Sequence, residues 1–220
     1  MLLRSLSLLL TFAVTHTLAL WPIPRSFNTG TSFVKLDPSF DIKLHGVHRA
    51  PNDLLDAIYL TENHLLNDKH ERLVVGRGAV DRNSLPDAPS LLTLELCLDD
   101  DSGSSDIKSI MEEATKPIGT RIEAYTLTIP STGGTARITA KSTLALFRGL
   151  TTFEQLFYFD GHRTVYTYQA PIQITDSPTY VSKSTHRKIQ KLTLYLPSLT
   201  EGSCSTPLAT CKSLSMGTYK

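Results

Sequence analysis

Residues 123–140 constrain the fold more than any other stretch. Tyr125, Leu127 and Ile129 alternate with Thr126 and Thr128, then comes Ser131-Thr132-Gly133-Gly134, and residues 135–140 return. A period of two puts the apolar side chains on one face of a strand. A Gly-rich turn between two such runs predicts a β-hairpin. The chain therefore has to build a sheet that is apolar on one side only, and that side needs a cover.

Other segments extend this pattern. Residues 32–36 and 40–44 read as two short strands around Asp37-Pro38, and in the second Phe40, Ile42 and Leu44 alternate with Asp41 and Lys43. Residues 91–98 form a mostly apolar strand, and residues 164–168 and 171–175 form two more. Two stretches read as helices. Residues 51–68 start with Pro51, which costs nothing in a first turn, and carry Leu55, Ile58, Tyr59, Glu62 and Leu66 at 3–4 spacing. Residues 142–159 start at Ser142, a good N-cap, and carry the stripe Leu146, Leu150, Phe153 and Phe157 before Asp160-Gly161. The expected order is ββαβββαββ. It predicts an α+β fold, a mainly antiparallel sheet of about six or seven strands with two helices packed on one face. A parallel β-α-β crossover is open at either helix.

Composition narrows the function. The 220 residues hold 22 Lys+Arg and 21 Asp+Glu, a net charge of +1. No basic field exists to hold a phosphate backbone, so nucleic acid is not an expected partner. Three cysteines, none at CxxC spacing, do not make a disulfide framework. At the N-terminus Arg4 precedes an apolar stretch from Leu6 to Val14, and Thr17 and Ala19 supply small residues before Leu20. This is the layout of a secretory signal peptide over residues 1–19, with cleavage near Ala19. The expectation is a secreted chain with no membrane span after cleavage.

No constellation of residues here argues for chemistry. His45 and His48 lie in a loop beside Gly46 with no third ligand at useful spacing. Asp99, Asp101 and Gly103 lack the pattern of a calcium loop. Gly76-Arg77-Gly78 lacks a third glycine and a dinucleotide-type frame. Cys97 sits in an apolar strand. Glu112, Glu113 and Glu123 stand in polar sequence with no sign of divided acid and base roles. The expectation is therefore no catalytic, cofactor-binding or metal-binding residue.

Four stretches in order carry a family resemblance: Leu20-Trp21-Pro22-Ile23-Pro24, residues 123–130 (EAYTLTIP), residues 146–156 (LFRGLTTFEQL) and residues 170–180 (APIQITDSPTY). Over residues 20–180 the chain resembles the N-terminal domain of fungal-type β-N-acetylhexosaminidases of glycoside hydrolase family 20. The resemblance implies a zincin-like, non-catalytic domain that supports a (β/α)₈ barrel. In the family that barrel removes terminal N-acetylhexosamine through the substrate's own acetamido group, with an Asp-Glu pair and no cofactor. A barrel needs about 250 residues, and no residue here matches the pair. The resemblance makes Arg148 and Glu154 the flanks of a packed helix, with a structural ion pair as their expected role.

Residues 181–220 depart from the family. Val181-Ser182-Lys183 can be encoded as a splice donor, Leu192-Thr193 can contain a branch-point string, and Pro197-Ser198 can contain an acceptor. A retained intron over that span is 53 nucleotides and shifts the frame. In the shifted frame residues 198–210 permit Pro-Tyr-Arg-Gly-Leu-Leu-Leu-Asp-Thr-(Ser/Pro)-Arg-Asn, the family's continuation. The tail is then expected to be poorly ordered, and Cys204 and Cys211 carry no disulfide meaning. Loss of the barrel exposes an apolar face and invites non-specific self-association.

These readings converge on a truncated accessory domain of a secreted β-N-acetylhexosaminidase. The alternative is a stand-alone secreted glycan- or protein-binding module. A glycan binder needs an aromatic platform, for which Tyr158, Tyr166 and Tyr168 form the nearest cluster. N-terminal sequencing of the exported chain should begin at Leu20, and an intact Met1 would refute the leader. Genomic sequence lacking a donor at codon 181 and an acceptor at codon 198 would remove the intron account.

Overall fold

The structure, a computed structural model, describes residues 20–47, 49–99 and 107–177. Residues 1–19, where a leader is expected, and residues 178–220 lie outside the described residues. Six strands and three α-helices follow one another: β1 (Ser26–His45), α1 (Asn52–Asn67), β2 (Ser90–Leu98), α2 (Ile110–Thr115), β3 (Tyr125–Ile129), β4 (Gly134–Ala140), α3 (Thr143–Glu154), β5 (Tyr158–Phe159) and β6 (Val165–Asp176).

The sheet runs β1-β2-β4-β3-β6-β5, and β1 also pairs with β6. The first half of β1 is antiparallel to β6 and the second half is parallel to β2. The strand changes partner at Lys35, which is in register with Tyr166 of β6 and with Ser90 of β2. Pairing thus returns to its starting strand. The sheet is mixed: β1–β2 and β2–β4 are parallel, whereas β1–β6, β3–β4, β3–β6 and β5–β6 are antiparallel. The crossover at the first helix is the parallel β1-α1-β2 unit.

The α+β class and the hairpin match expectation, and several boundaries do not. The two strands expected at 32–36 and 40–44 are one strand. Asp37-Pro38 falls where the register shifts between Leu36 and Asp41, so a bulge absorbs the missing Pro N–H without ending the strand. The strands expected at 164–168 and 171–175 also merge, as β6. Pro171 is tolerated because β1 is irregular opposite it, between Thr29 and Ser32. A Cβ on Gly30 would stand 2.4 Å from the Ala170 carbonyl oxygen and 2.5 Å from Pro171 Cδ, so only glycine fits.

Three α-helices, rather than two, form the layer. The additional α2 is short, and Ser109 and Glu112 close a capping box at its start. The second expected helix ends at Glu154, because Tyr158 and Phe159 pair with β6 instead of continuing the turn. Phe157 still reaches the core. On α1 the buried face is Leu54, Ala57, Thr61 and Leu65, whereas the expected stripe members Leu55, Tyr59 and Leu66 are exposed. Both sets have helical spacing, and α3 packs on the first.

The core lies between the helix layer and one sheet face. Leu127, Ile129, Ala136, Ile138, Ile172 and Ile174 point inward from the sheet, and Leu146, Leu150 and Phe153 meet them from α3. The opposite sheet face is polar: Thr126, Thr128, Thr135, Thr139 and Gln173 stand there, with the Arg137–Glu95 pair at 2.6 Å.

The long connection from α1 to β2 folds over the end of β6. Tyr166 O–H donates to Asp81 Oδ2 at 2.6 Å, Arg72 pairs with the same carboxylate, and the Arg72 guanidinium lies 3.7 Å from the centre of the Tyr168 ring. Burial and the Asp81 carboxylate hold the Tyr166 phenol well above its usual range. Asp160 closes the β5–β6 turn by accepting from the backbone N–H groups of His162, Arg163 and Thr164 at 2.8–3.0 Å. Burial pushes its carboxyl up, but these donors outweigh burial and hold it below the usual value.

Two outcomes are expected. Gly30→Ala should destabilise the domain by about 2 kcal/mol or more, read by urea unfolding, because backbone and proline ring both block the new methyl. Asp160 has a folded pKa below its unfolded one. Its contribution is therefore in place above about pH 4 and is lost as pH falls through the lower folded value. Asp160→Asn should flatten the acid limb of the stability profile between about pH 4 and pH 2, and an unchanged limb would refute the assignment.

Candidate functional site

A cleft of about 430 Å³ lies at one end of the helix layer. Three parts of the chain build it. The entry segment supplies Trp21, Pro22, Ile23 and Arg25. The outward side of α3 supplies Arg148, Thr152 and Gln155, which recur at helical spacing. The ends of β3 and β6 supply Tyr125 and Asp176.

The Gln155 amide fixes the entry segment. Its Oε1 accepts from Trp21 N–H at 2.7 Å and its Nε2 donates to the Trp21 carbonyl at 3.1 Å. The indole itself is 81% exposed, and Ile23 is 80% exposed. Deeper in the cleft, Tyr125 Oη and Thr152 Oγ1 share a hydrogen bond of 2.6 Å. Burial raises the Tyr125 phenol, and the Thr152 hydroxyl opposes part of that rise.

Both carboxylates near the cleft have structural tasks. Glu123, whose side chain is 2% exposed, accepts from Arg148 Nε at 3.1 Å. Asp176 accepts from the backbone N–H of Arg25 at 3.2 Å and of Ser177 at 2.9 Å, tying the entry of the domain to its exit. The ion pair expected around Arg148 and Glu154 is thus resolved differently: Arg148 pairs with Glu123, and Glu154 lies 3.6 Å from His64 of α1.

The other residues weighed in the sequence are placed as follows. His45 stands 3.7 Å from Glu95 on the polar sheet face, and His48 lies outside the described residues. Among the described residues no group of three or more His, Cys, Asp or Glu side chains could hold a metal ion. Asp99 is exposed, and its backbone N–H donates to the Ala140 carbonyl; residues 100–106, with Asp101 and Gly103, lie outside the described residues. Gly76-Arg77-Gly78 forms a 3₁₀ turn, and a Cβ on Gly78 would meet the Tyr166 hydroxyl at 2.7 Å. Cys97 is half-buried, level with Thr139 on β4. Glu112 belongs to the capping box, and Glu113 pairs with Lys116 at 2.6 Å. Tyr158, Tyr166 and Tyr168 pack on one another, on Phe33 and under Arg72. Trp21 is what sequence reasoning missed. It is the chain's one tryptophan, and its position before two prolines marked an extended segment but not an exposed wall.

The cleft sets the apolar side chains of Trp21 and Ile23 beside the exposed Arg25 side chain and above polar groups bonded within the domain, an arrangement suited to binding. Arg148→Ala removes the guanidinium from a buried carboxylate and should lower stability by about 1–3 kcal/mol. Glu123→Gln should cost less, and thermal melts of the two variants compare them directly.

Comparisons with known proteins bear on the same region. Residues 20–156 match the family described as beta-acetyl hexosaminidase like. A stretch of 58 residues is 43% identical to a beta-hexosaminidase of Arthroderma benhamiae; it makes up 26% of this chain and 9% of that protein. Among solved structures, the Flavobacterium johnsoniae chitobiase aligns with TM-score 0.45 and 19% identity, over 72% of this chain and 20% of its own. The Streptomyces coelicolor β-N-acetylhexosaminidase aligns with TM-score 0.38 and 16% identity, over 72% and 26% respectively. This chain therefore corresponds to a small share of the proteins it matches. A family match reaching from the entry segment through α3 makes the chain a member of the beta-acetyl hexosaminidase-like family.

Proposed function

We propose that the chain is the non-catalytic N-terminal domain of a secreted β-N-acetylhexosaminidase of glycoside hydrolase family 20. In this reading residues 1–19 direct export, and hydrolysis of terminal N-acetylhexosamine belongs to a barrel outside this chain. The carrying observation is the state of two carboxylates, Asp176 in the cleft lining and Glu123 against Arg148 beside it. Hydrolysis of a glycoside needs an acid free to give a proton to the leaving oxygen and a second group to manage the acetamido nucleophile. Glu123 is buried against Arg148, and Asp176 holds two backbone N–H groups. Neither is placed to act on a sugar.

A stand-alone glycan module finds less support. The tyrosines that would form its platform are engaged by Phe33, by Arg72 and by one another. The full chain, purified after export, should not turn over a chromogenic N-acetylglucosaminide. Hydrolysis at enzyme-like rates, abolished by Glu123→Gln, would overturn the proposal. Calorimetric titration with chito-oligomers should give no saturable heat, and a saturable site would favour the binding module.

A further inference from the structure

We propose that the loop closed by Arg72 and Asp81 is an interfacial anchor, whose aliphatic tip enters the surface of an anionic lipid bilayer. This goes beyond the accessory-domain reading and does not rest on it; the loop shares no residue with the Trp21 cleft. Between Arg72 and Asp81 the sequence reads LVVGRGAV, in which Arg77 is the only polar side chain. Leu73, Val74 and Val75 are consecutive and all exposed, Leu73 by 86% and Val75 completely. Val80, on the returning limb, is 80% exposed. Single exposed aliphatics are ordinary on a protein surface. A run of three, with a fourth in the same short loop, calls for something to bind.

The loop is firmly held. Arg72 Nη1 and Asp81 Oδ2 meet at 2.5 Å and close its two ends. Tyr166 donates to the same carboxylate, and the Arg72 guanidinium lies over the Tyr168 ring. Within the loop Arg77 N–H donates to the Val74 carbonyl at 3.0 Å and Ala79 N–H to the Gly76 carbonyl at 2.8 Å. Gly78 is buried where a Cβ would meet the Tyr166 hydroxyl at 2.7 Å. A short loop with closed ends and internal bonds has little ordering entropy left to lose on binding.

Three features select a bilayer as the occupant. Side chains this exposed protrude, and a protruding aliphatic tip suits a deformable medium, whereas a protein partner has to supply a matching socket. The second feature is charge. Arg77 stands on the tip, and Lys69, Arg82 and Arg163 are exposed at the base, where Arg82 Nε donates to the Asp160 carbonyl at 2.8 Å. The carboxylates of this region have partners: Asp81 in Arg72 and Tyr166, Asp160 in three backbone N–H groups, Asp68 in His70, while Glu71 lies against the turn at Gly161. Aliphatic side chains among exposed cations match acyl chains beneath anionic headgroups. The third is size. Four aliphatic side chains make a patch of roughly a few hundred Å², below the roughly 800 Å² that each partner gives to a stable dimer. Two such tips face to face would also bring Arg77 against its own copy.

The test sediments the full-length chain, purified after export, with vesicles of phosphatidylcholine containing about one-third phosphatidylserine and, separately, with phosphatidylcholine alone. The chain should bind the anionic vesicles, bind the neutral ones several-fold more weakly, and lose affinity as salt is raised. Leu73→Ser/Val75→Ser should weaken binding to the anionic vesicles by about tenfold or more, and Arg77→Gln by about fivefold. Thr126→Ala, on the polar sheet face, should change nothing. The circular-dichroism melt should stay where it is in each variant, because these side chains face solvent. Should the double variant melt lower, Val75→Ser alone, at a fully exposed position, carries the comparison. Binding that the tip variants leave undiminished would overturn the proposal and move the contact elsewhere, for instance to the cations of residues 183–191. Equal binding to neutral vesicles, or binding to neither kind, would overturn it as well. So would concentration-dependent association of the free chain that Leu73→Ser/Val75→Ser abolishes, which makes the occupant a second copy. Vesicle binding and glycoside hydrolysis are read separately, so neither result decides the other.

Discussion

The exchange of partners by β1 at Lys35 organises the rest of the domain. Above that residue β1 is antiparallel to β6, and below it the same strand is parallel to β2. A parallel neighbour cannot be reached by a tight turn, so the chain must cross over, and α1 is that crossover. Antiparallel pairing with β6 brings the last strand back beside the first, which puts Arg25 next to Asp176 and closes the cleft around Trp21. Each later feature, from the helix layer to the exit of the chain, takes its place from this pairing.

The two faces of the domain are unlike. One sheet face is covered by α1, α2 and α3 and packs Leu, Ile and Phe at full burial. The other carries threonine, glutamine and paired charges, a surface at ease in water. The helix layer in turn leaves a second apolar stripe on α1, and Trp21 and Ile23 stand exposed at the cleft. An uncovered second apolar side of this kind is a surface on which another layer can pack.

Glu123 and Arg148 form a charged pair that joins two elements of the fold. The carboxylate lies just before β3, and the guanidinium comes from the outward side of α3. Their contact fixes α3 against the hairpin at the edge of the cleft. Asp176 does the equivalent work with backbone donors.

Local pattern determined much of this by itself. The hairpin of β3 and β4 was legible because strict alternation and a Gly-Gly turn leave one solution. The presence of α1 and α3 was legible from spacing and from Ser142 as a cap, and the α+β class followed. The Ser109–Glu112 signature of α2 was present and unread. Tertiary structure decided the rest. Whether 32–36 and 40–44 are one strand depends on β6 and β2, which lie far away in sequence. On α1 two apolar faces had equal claim by spacing, and contact with α3 chose Leu54, Ala57 and Leu65 over Leu55, Tyr59 and Leu66. Trp21 looks like any apolar residue in a proline-rich entry. Its exposure is set by Gln155, 134 residues later, and a contact at that distance leaves no trace in local periodicity.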